Sequence, residues 1–410
     1  MNFSACRFCN KKLVSFCDLG KSPLANSFLA KNELKIEEPF YPLHAYVCEA
    51  CYLVQLEEIQ SPKDIFQDYA YFSSYSSTWL KHCQDYANRA IKRLDLNKNK
   101  QVIEIASNDG CLLSFFKEKE IPVLGIEPAA NIAKKAEASE IPTINKFFNS
   151  QLAQELASTQ KQADLLIGNN VLAHVPNLND FIVSLKIILK PKGVITLEFP
   201  SLLELMEHNQ FDTIYHEHFS YFSYLTIEKI FAHHGLNLFD VEELKIHGGS
   251  FRIYIQHQEN LDNCVSGNIA RIKLREKNHG LDKLESYHSF SKKIKETKYL
   301  LHQFLTKIKQ SGKSIAAYGA PAKGNTLLNY CGIGTDLIDY TVDINPHKQE
   351  RFLPGTHIPI FHPDKIKTTK PDYLLILPWN IKNEIMEQMK FIIQWGGKFI
   401  TPIPEIRVEP

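Results

Sequence analysis

Two pairs of cysteines near the start of the chain constrain its fold more than any other feature. The segments CRFCN and VCEACYLVQ place Cys6 with Cys9 and Cys48 with Cys51 in two CxxC turns. Each turn brings two thiolates to one side of a knuckle, and two knuckles complete the tetrahedral sulfur coordination that zinc prefers. The spacing predicts that residues 1–66 form a small domain with a structural zinc ion. The alternative is two unrelated redox or core pairs.

The length and charge of the chain restrict the remaining possibilities. At 410 residues, 44% of them hydrophobic, it is long enough for two or three domains. The 47 basic and 46 acidic side chains nearly cancel, which argues against nucleic acid or an anionic membrane as partner. No apolar run approaches the ~20 residues that a membrane helix needs. The N-terminus lacks the apolar core of a signal peptide, so we expect a cytoplasmic protein.

Residues 67–262 predict a Rossmann-like α/β domain. After an amphipathic helical segment, short apolar strands occur in QVIEIASNDG, IPVLGIEP, ADLLIGNN and GVITLEFP, and helices follow the first three. Alternating strands and helices predict a parallel, doubly wound sheet. In such a sheet, ligands bind at the carboxyl ends of the strands, near the point where the strand order reverses.

The turn EIASNDG predicts the ligand of this domain, because it matches neither the dinucleotide nor the nucleoside triphosphate pattern. Glu104 ends its strand, and Glu127 ends the next strand, where a carboxylate commonly binds ribose hydroxyls. An acidic, backbone-rich loop of this kind suits S-adenosylmethionine, a cation that carries an amino acid and a ribose. We assign to this ligand Glu104, Ala106, Ser107, Asn108, Gly110, Glu127, Asn169, Asn170 and His174. A plain polar turn, with His174 in a packing role, is the alternative.

Residues 263–410 predict a second, smaller Rossmann-like unit after a charged helical stretch at 268–310. The segment AAYGAPAKGNT follows a strand and opens a helix, and its helix N-terminus and Lys323 favour an anion. A nucleotide diphosphate is therefore the expected ligand, unless the unit only supports packing. The residues assigned to the substrate are His216, Ser250, Arg252, Lys323, Asn325, Asp343, Lys348, Arg351 and Trp379.

The run TIYHEHFSYFS concentrates titratable side chains more than any other segment. It places two histidines, a glutamate and two tyrosines within residues 213–223. The two histidines suit either a metal ion or proton transfer, because a neutral imidazole can serve both purposes. In an extended run, His216 and His218 would share a face, whereas in a helix they would diverge. A polar loop without function is the third interpretation.

The motifs together resemble those of the sugar C-methyltransferases that act on nucleotide-activated 4-keto deoxysugars. The resemblance covers nearly the whole chain and rests on the two CxxC pairs and on YAYFSSYS, EIASNDG, GIEPAANIA, YHEHFSYFS, HGGSFR and YGAPAKGNTLLN, in that order. It implies an N-terminal zinc-binding domain, a central class I methyltransferase domain and a C-terminal domain that carries the nucleotide diphosphate. It also implies that Tyr215, Glu217, His218 and a tyrosine of YAYFSS, Tyr71 or Tyr69, lie at the sugar.

Carbon methylation beside a ketone requires an enolate, and the run contains the parts for one. We expect His218 to remove a proton from C3, Tyr215 and Tyr71 to stabilise the enolate, and Glu217 to position the sugar. The expected partner is a nucleotide-activated keto-deoxysugar, most simply linked to thymidine diphosphate. We expect a monomer or a weak homo-oligomer.

Two other functions are compatible with these motifs. An O- or N-methyltransferase acting on a nucleotide sugar or small molecule would also use a histidine base. A zinc-knuckle protein that binds nucleic acid or another protein would use the cysteines alone, although no basic stripe accompanies them.

Overall fold

The computed structural model describes residues 5–61, 74 and 77–410, and within them the chain builds three separate sheets. The strands are, in chain order, β1 (Leu13–Ser22), β2 (Tyr41–Cys48), β3 (Val54–Leu56), β4 (Val102–Ile105), β5 (Val123–Ile126), β6 (Thr143–Ile144), β7 (Ala163–Asn169), β8 (Leu189–Pro200), β9 (Ser220–Tyr221), β10 (Leu236–Leu244), β11 (Ser250–His257), β12 (Ile315–Tyr318), β13 (Thr341–Val342), β14 (Ile360–Phe361), β15 (Tyr373–Ile376), β16 (Lys398–Thr401) and β17 (Arg407–Glu409).

The helices alternate with these strands in the second and third sheets. They are, in chain order, α1 (Ser77–Arg93), α2 (Cys111–Lys117), α3 (Ala130–Ala138), α4 (Ser150–Ser158), α5 (Leu178–Ile188), α6 (Leu202–Glu207), α7 (Tyr224–His233), α8 (Gly267–His279), α9 (Leu284–Gln310), α10 (Ala322–Cys331), α11 (Lys365–Thr369) and α12 (Lys382–Gln388). The charged stretch predicted at 268–310 is therefore two helices, α8 and α9.

The N-terminal sheet is antiparallel, in the order β1-β2-β3-β9. Its fourth strand, β9, comes from the middle of the chain, so the zinc-binding segment does not complete its own sheet. Long helix α9 packs on β1, where the rings of Phe16 and Phe290 stack at 5.3 Å. The first sheet therefore shares one hydrophobic core with the C-terminal domain.

The central sheet has seven strands, in the order β10-β11-β8-β7-β4-β5-β6. The pairs from β8 to β6 are parallel, and β11 is antiparallel to both β8 and β10. Its inner strands, such as VIEI and ADLLIGN, are mostly apolar and almost wholly buried because helices cover both faces of a parallel sheet. The strand order reverses between β4 and β7, which makes the carboxyl ends of these strands the expected ligand site.

The C-terminal sheet has six strands, in the order β14-β13-β12-β15-β16-β17. Its strands are parallel except for β17, which pairs antiparallel with β16. The strand order reverses between β12 and β15, and the loops after these two strands face the central domain. This is the second doubly wound unit that the alternation of strands and helices predicted.

A buried carboxylate joins α8 to the start of α7. Glu276 is fully buried, and its two oxygens accept the backbone N–H groups of Tyr224 at 2.6 Å and Leu225 at 2.8 Å. Burial raises the pKa of this carboxyl to about 7. Because the first N–H groups of a helix have no partner within the helix, Glu276 satisfies donors that would otherwise be buried unpaired.

We expect Glu276→Ala to destabilise the protein by about 1–3 kcal/mol, because two buried N–H groups lose their acceptor. Urea unfolding at pH 7 would measure the change, with Glu296→Ala on the exposed face of α9 as the control. Equal stability of the two variants would contradict this role for Glu276.

Candidate active site

A cavity of about 510 Å³ opens at the carboxyl ends of β4, β5 and β7. Six of the nine residues assigned to S-adenosylmethionine line it: Ala106, Asn108, Glu127, Asn169, Asn170 and His174. The wall also contains three phenylalanines, Phe147, Phe148 and Phe181, and the carboxylate of Asp180. The cavity lies where the strand order of the central sheet reverses, as expected of a doubly wound fold.

The loop between β4 and α2 is held in an unusual conformation by Glu127. Ala106, Asn108 and Gly110 have positive φ angles of 54°, 50° and 77°. The Glu127 carboxylate accepts the N–H groups of Asn108 and Ala129, each at 2.9 Å. A side chain at Gly110 would approach Ile141 to 2.9 Å, so glycine is required there on both counts.

The other three residues assigned to the methyl donor lie behind the cavity wall. Glu104 and Ser107 are buried beneath the loop, and Gly110 shapes its end. Burial raises the pKa of Glu104 well above its ordinary value, and the neighbouring acidic groups raise it further. These residues are placed to support the loop rather than to line the cavity.

The cavity fits the chemistry of S-adenosylmethionine. Aromatic rings offer an apolar surface for adenine, and the carboxylates Glu127 and Asp180 offer acceptors for hydroxyl or ammonium groups. The side-chain oxygens of Asn169 and Asn170 are buried in this wall without a hydrogen-bond partner among the described residues. Since buried polar atoms are nearly always paired, these oxygens indicate a ligand with donors.

The side chains of Tyr215 and His218 lie together beside this cavity. Their ring centroids are 4.1 Å apart, and the ring of His174, which lines the cavity, lies 4.8 Å from that of His218. Nδ1 of His218 donates to the carbonyl of Thr213 at 3.0 Å, which leaves Nε2 as the atom with a free lone pair. Burial lowers the pKa of His218 well below its ordinary value, and nearby His174 lowers it further. His218 is therefore neutral at pH 7.

His174 connects the cavity to this run. Its Nδ1 donates to the carbonyl of Glu217 at 2.8 Å, and burial lowers its pKa to about 4. The structure supports both interpretations of His174, because its ring packs on His218 and also lines the cavity.

His216 and Glu217 turn away from His218, toward the N-terminal domain. Nε2 of His216 donates to the carbonyl of Pro42 at 3.1 Å, and Glu217 accepts from Asn26 Nδ2 at 2.6 Å. Residues 216–217 form a turn, so neither the extended nor the helical alternative describes the part of the run between His216 and His218. Among the described residues, neither histidine belongs to a cluster of three metal-ligand side chains, so the structure does not support a metal site here.

His247 is a cavity residue that the sequence reasoning missed. It lines the donor cavity 5.8 Å from the ring of Trp79, and Nδ2 of Asn170 lies 3.4 Å from its Nε2. Its φ of 54° precedes Gly248 and Gly249 at 93° and 116°. The motif HGGSFR contains this signal, because two glycines after a histidine permit a turn that directs the histidine inward.

Two other substrate assignments from the same motif have structural surroundings. The Arg252 guanidinium is fully buried, stacks on Tyr86 at 4.1 Å, and binds the carboxylates of Glu198 and Glu242. Ser250 is also buried, and its hydroxyl donates to the carbonyl of Ile246 at 3.3 Å. Both residues are buried on β11 and are bound by other residues of the protein, so the structure gives no support to a substrate role for them.

The residues assigned to the C-terminal ligand form two groups at the carboxyl end of their sheet. Lys323 donates to Asn380 Oδ1 at 2.6 Å and lies 4.5 Å from the ring of Trp379. Burial lowers the pKa of Lys323 to about 8. This first group lies against the run that carries His218, since Nε1 of Trp379 donates to Oδ2 of Asp212, the residue just before the run, at 2.7 Å.

The second group faces the N-terminal domain. Nζ of Lys348 lies 3.9 Å from Asp343 and 5.1 Å from the ring of Phe28, whose carbonyl accepts from Arg351 at 3.3 Å. Asn325 is buried on α10 and donates to the carbonyl of Ala25 at 2.6 Å. Tyr71 and its alternative Tyr69 lie outside the described residues.

The four paired cysteines converge as the spacing predicted. Their sulfur atoms all lie within 4.8 Å of one another, with Cys9 to Cys48 at 3.4 Å and Cys6 to Cys51 at 3.6 Å. A disulfide requires about 2.05 Å, whereas thiolates around one zinc ion at about 2.3 Å lie near 3.8 Å apart. The donor set therefore fits zinc.

The zinc knuckle supports the methyl-donor cavity through Arg7. This residue follows Cys6, and its guanidinium donates to the carbonyls of Leu56 and Pro176, the second at 3.2 Å. Pro176 lines the donor cavity. Gln55 completes the link, since its Oε1 accepts the Arg7 N–H at 2.9 Å and its Nε2 donates to the Cys6 sulfur at 3.3 Å.

Fold and site define a methyltransferase that uses S-adenosylmethionine and holds a structural zinc ion. The chain matches three families, described as "Putative zinc binding domain" at residues 6–66, "Methyltransferase domain" at 79–241 and "C-methyltransferase C-terminal domain" at 245–404. It is 33% identical over 407 residues to the C-methyltransferase NovU of Streptomyces niveus, covering 98% of this chain and 96% of the relative. The chain belongs to this C-methyltransferase family.

Two solved structures of methyltransferases are similar to part of this chain. One is the magnesium protoporphyrin IX methyltransferase of Synechocystis PCC 6803 with bound S-adenosylmethionine, at 12% identity and a TM-score of 0.35, covering 49% of this chain and 99% of that one. Another is an S-adenosylmethionine-dependent methyltransferase of Clostridium acetobutylicum, at 11% identity and a TM-score of 0.34, covering 43% and 92%.

The three family matches, the relative NovU and the cluster of four cysteines confirm the predicted fold class, the two cofactors and the enzyme class. The third family match begins at residue 245 and so includes β11, which in the structure belongs to the central sheet. The boundaries 1–66, 67–262 and 263–410 remain predictions. In the described part of the chain, no helix combines the length and apolar character needed to cross a membrane.

We expect Arg7→Ala to weaken binding of S-adenosylmethionine about tenfold while the zinc content stays at one ion per chain. The reason is that Pro176 loses a buried hydrogen bond to a charged group, worth about 1.5–3 kcal/mol. Calorimetric titration and metal analysis would measure the two quantities. Arg271→Ala, at an exposed ion pair with Glu243, is the control, and unchanged affinity in Arg7→Ala would contradict the link.

Proposed function

We propose that this enzyme methylates C3 of a nucleotide-linked 4-keto-6-deoxysugar by way of an enolate. The observation that carries the proposal is the neutral His218, with Nε2 free, packed on Tyr215 and on the cavity residue His174. A carbon acid needs a neutral base and a donor for the developing oxyanion, and these side chains supply both. Membership of the C-methyltransferase family supports carbon as the acceptor atom.

The substrate is expected in the cleft between the central and C-terminal domains. The strand order of the C-terminal sheet reverses between β12 and β15, where Lys323 and Trp379 lie, and doubly wound sheets bind nucleotides at such points. The N-terminus of α10 favours an anion there. Lys348, Arg351 and Asp343 lie at the same end of the sheet, toward the N-terminal domain. A diphosphate held here would direct the sugar toward His218.

The reaction then divides between named side chains. His218 Nε2 takes the proton from C3, and the electron pair moves to the C4 oxygen, which Tyr215 and Tyr71 stabilise. Glu217, held by Asn26, positions the sugar. The residues around the donor cavity hold S-adenosylmethionine, which supplies an electrophilic methyl group when bound. Burial of the site lowers the dielectric around the developing charge and strengthens the stabilisation by these donors.

An O- or N-methyltransferase is the alternative, since His218 would also deprotonate a hydroxyl or an ammonium group. The two reactions differ in what happens without methyl donor. Only an enzyme that forms the enolate exchanges the C3 hydrogen with solvent.

We expect the wild-type enzyme to incorporate deuterium at C3 of thymidine diphosphate 4-keto-6-deoxyglucose in deuterated buffer without S-adenosylmethionine. His218→Asn should slow this exchange about 10²–10⁴-fold, the usual contribution of a general base. Proton NMR of the C3 signal measures the rate, with binding of thymidine diphosphate verified for both proteins. His302→Asn on α9 is the control.

Absence of exchange in a wild-type enzyme that binds both ligands would overturn the proposal and favour oxygen or nitrogen methylation. Exchange that persists in His218→Asn would retain the reaction and assign the base to Tyr215 or another residue of the run.

A further inference from the structure

A tryptophan of the C-terminal domain binds the turn that precedes the catalytic run. Nε1 of Trp379 donates to Oδ2 of Asp212 at 2.7 Å. Trp379 lies in the loop after β15, and Asp212 is fully buried in the 3-10 turn Phe211–Thr213 of the central domain. An indole donor and a buried carboxylate form a strong, directional contact between the two domains.

The same turn is held by a closed circuit of contacts. Thr213 Oγ1 donates to the Gln210 carbonyl at 2.7 Å, and Gln210 Nε2 donates to the Gly248 carbonyl at 2.7 Å. Gly248 in turn packs against the tryptophan, since a Cβ on it would lie 2.7 Å from Cη2 of Trp379. Each of these residues therefore restricts its neighbour, and the series of contacts ends at Trp379, the residue that binds Asp212.

The carbonyl of Thr213 connects this circuit to His218. This carbonyl accepts the Nδ1–H of His218 at 3.0 Å. A neutral imidazole carries its proton on one nitrogen only, and the hydrogen bond at one nitrogen decides which form exists. If the Thr213 carbonyl moved, the proton could occupy Nε2 and the base would lose its lone pair.

We propose that Asp212 and Trp379 are positioning residues that fix the Thr213 carbonyl and so keep the proton of His218 on Nδ1. The inference rests on the proposed function in that His218 is the base. It differs from the assignment of Trp379 to substrate binding, because it predicts an effect on the reaction step rather than on substrate affinity.

The test compares three variants of the full-length protein. Trp379→Phe removes the indole N–H but keeps an aromatic face for Lys323. Asp212→Asn removes the charge but keeps an oxygen that can accept the indole N–H. Trp395→Phe removes the matched indole donor, which binds the Pro371 carbonyl at 3.0 Å elsewhere in the same domain, and serves as control.

Two measurements are made on each protein. Nitrogen-15 NMR of histidine-labelled protein reports which ring nitrogen of His218 carries the proton, with the signals identified from His218→Asn. The rate of C3 deuterium exchange at saturating sugar, and the Kd values of thymidine diphosphate and S-adenosylhomocysteine, separate the reaction step from binding.

We expect Trp379→Phe to give a mixture of the two His218 tautomers and to slow saturated exchange about 10–100-fold, within the range of a general base effect. Both Kd values should stay within twofold of wild type. Asp212→Asn should show the same change to a smaller extent, and Trp395→Phe none.

The inference is overturned if His218 keeps its Nδ1 proton and its exchange rate in Trp379→Phe. It is also overturned if that variant loses affinity for thymidine diphosphate while saturated exchange is unchanged, because Trp379 is then a substrate contact. If wild type shows no exchange, the proposed function fails, but the NMR result still decides whether the circuit fixes the tautomer.

Discussion

The segment of residues 211–223 is the element on which the other parts of the molecule converge. Hydrogen bonds reach it from the N-terminal domain, from the central sheet and from the C-terminal domain: Asn26 to Glu217, His174 to the Glu217 carbonyl, Thr326 to the Ile214 carbonyl and Trp379 to Asp212. Between the 3-10 turn 211–213 and strand β9, this segment has no helix or strand and depends on such contacts for its conformation. The position of the side chains proposed to be catalytic is therefore a property of the assembled three-domain protein.

The electrostatic character of this junction follows from its burial. The pKa values of His174, His216, His218 and His247 are all lowered, in each case mainly by removal from water. These four imidazoles are therefore neutral at pH 7 and add no positive charge to the site. In the reaction proposed above, the proton transfer would take place among uncharged groups that reorganise little.

The parts predictable from sequence are those in which a residue type has one geometric use. Local rules predict the paired cysteines, Glu127 after its strand and the asparagines at the end of β7. In the structure the cysteines form one cluster, and Glu127 and the asparagines line the donor cavity. Placement of the histidines could not be predicted, because it depends on tertiary contacts. His216 and His218 are two residues apart yet face different domains, since Pro42 and Thr213 offer acceptors in opposite directions.

The placement of residues in the motif HGGSFR also depends on tertiary contacts that the sequence does not reveal. Arg252 was the more obvious candidate for an anionic substrate, but alternation along β11 directs it inward to Glu198 and Tyr86. His247 reaches the donor cavity only because the chain turns through three positive φ angles under Trp379. That turn depends on a residue more than 130 positions later in the chain.

The pairing of β3 with β9 also determines the order in which the protein can be completed during synthesis. Gln55 pairs with Ser220 and Val54 with Tyr221, so the N-terminal sheet stays one strand short until the central domain has left the ribosome. Closing such a distant pair is slow compared with local folding. Cys48 ends β2, and the other three cysteines lie in the loops next to β1 and β2, two strands that can pair with each other before β9 is made. All four metal-ligand sulfurs come from residues 6–51, so the zinc site needs no residue of the segment 211–223, whose strand β9 completes the sheet.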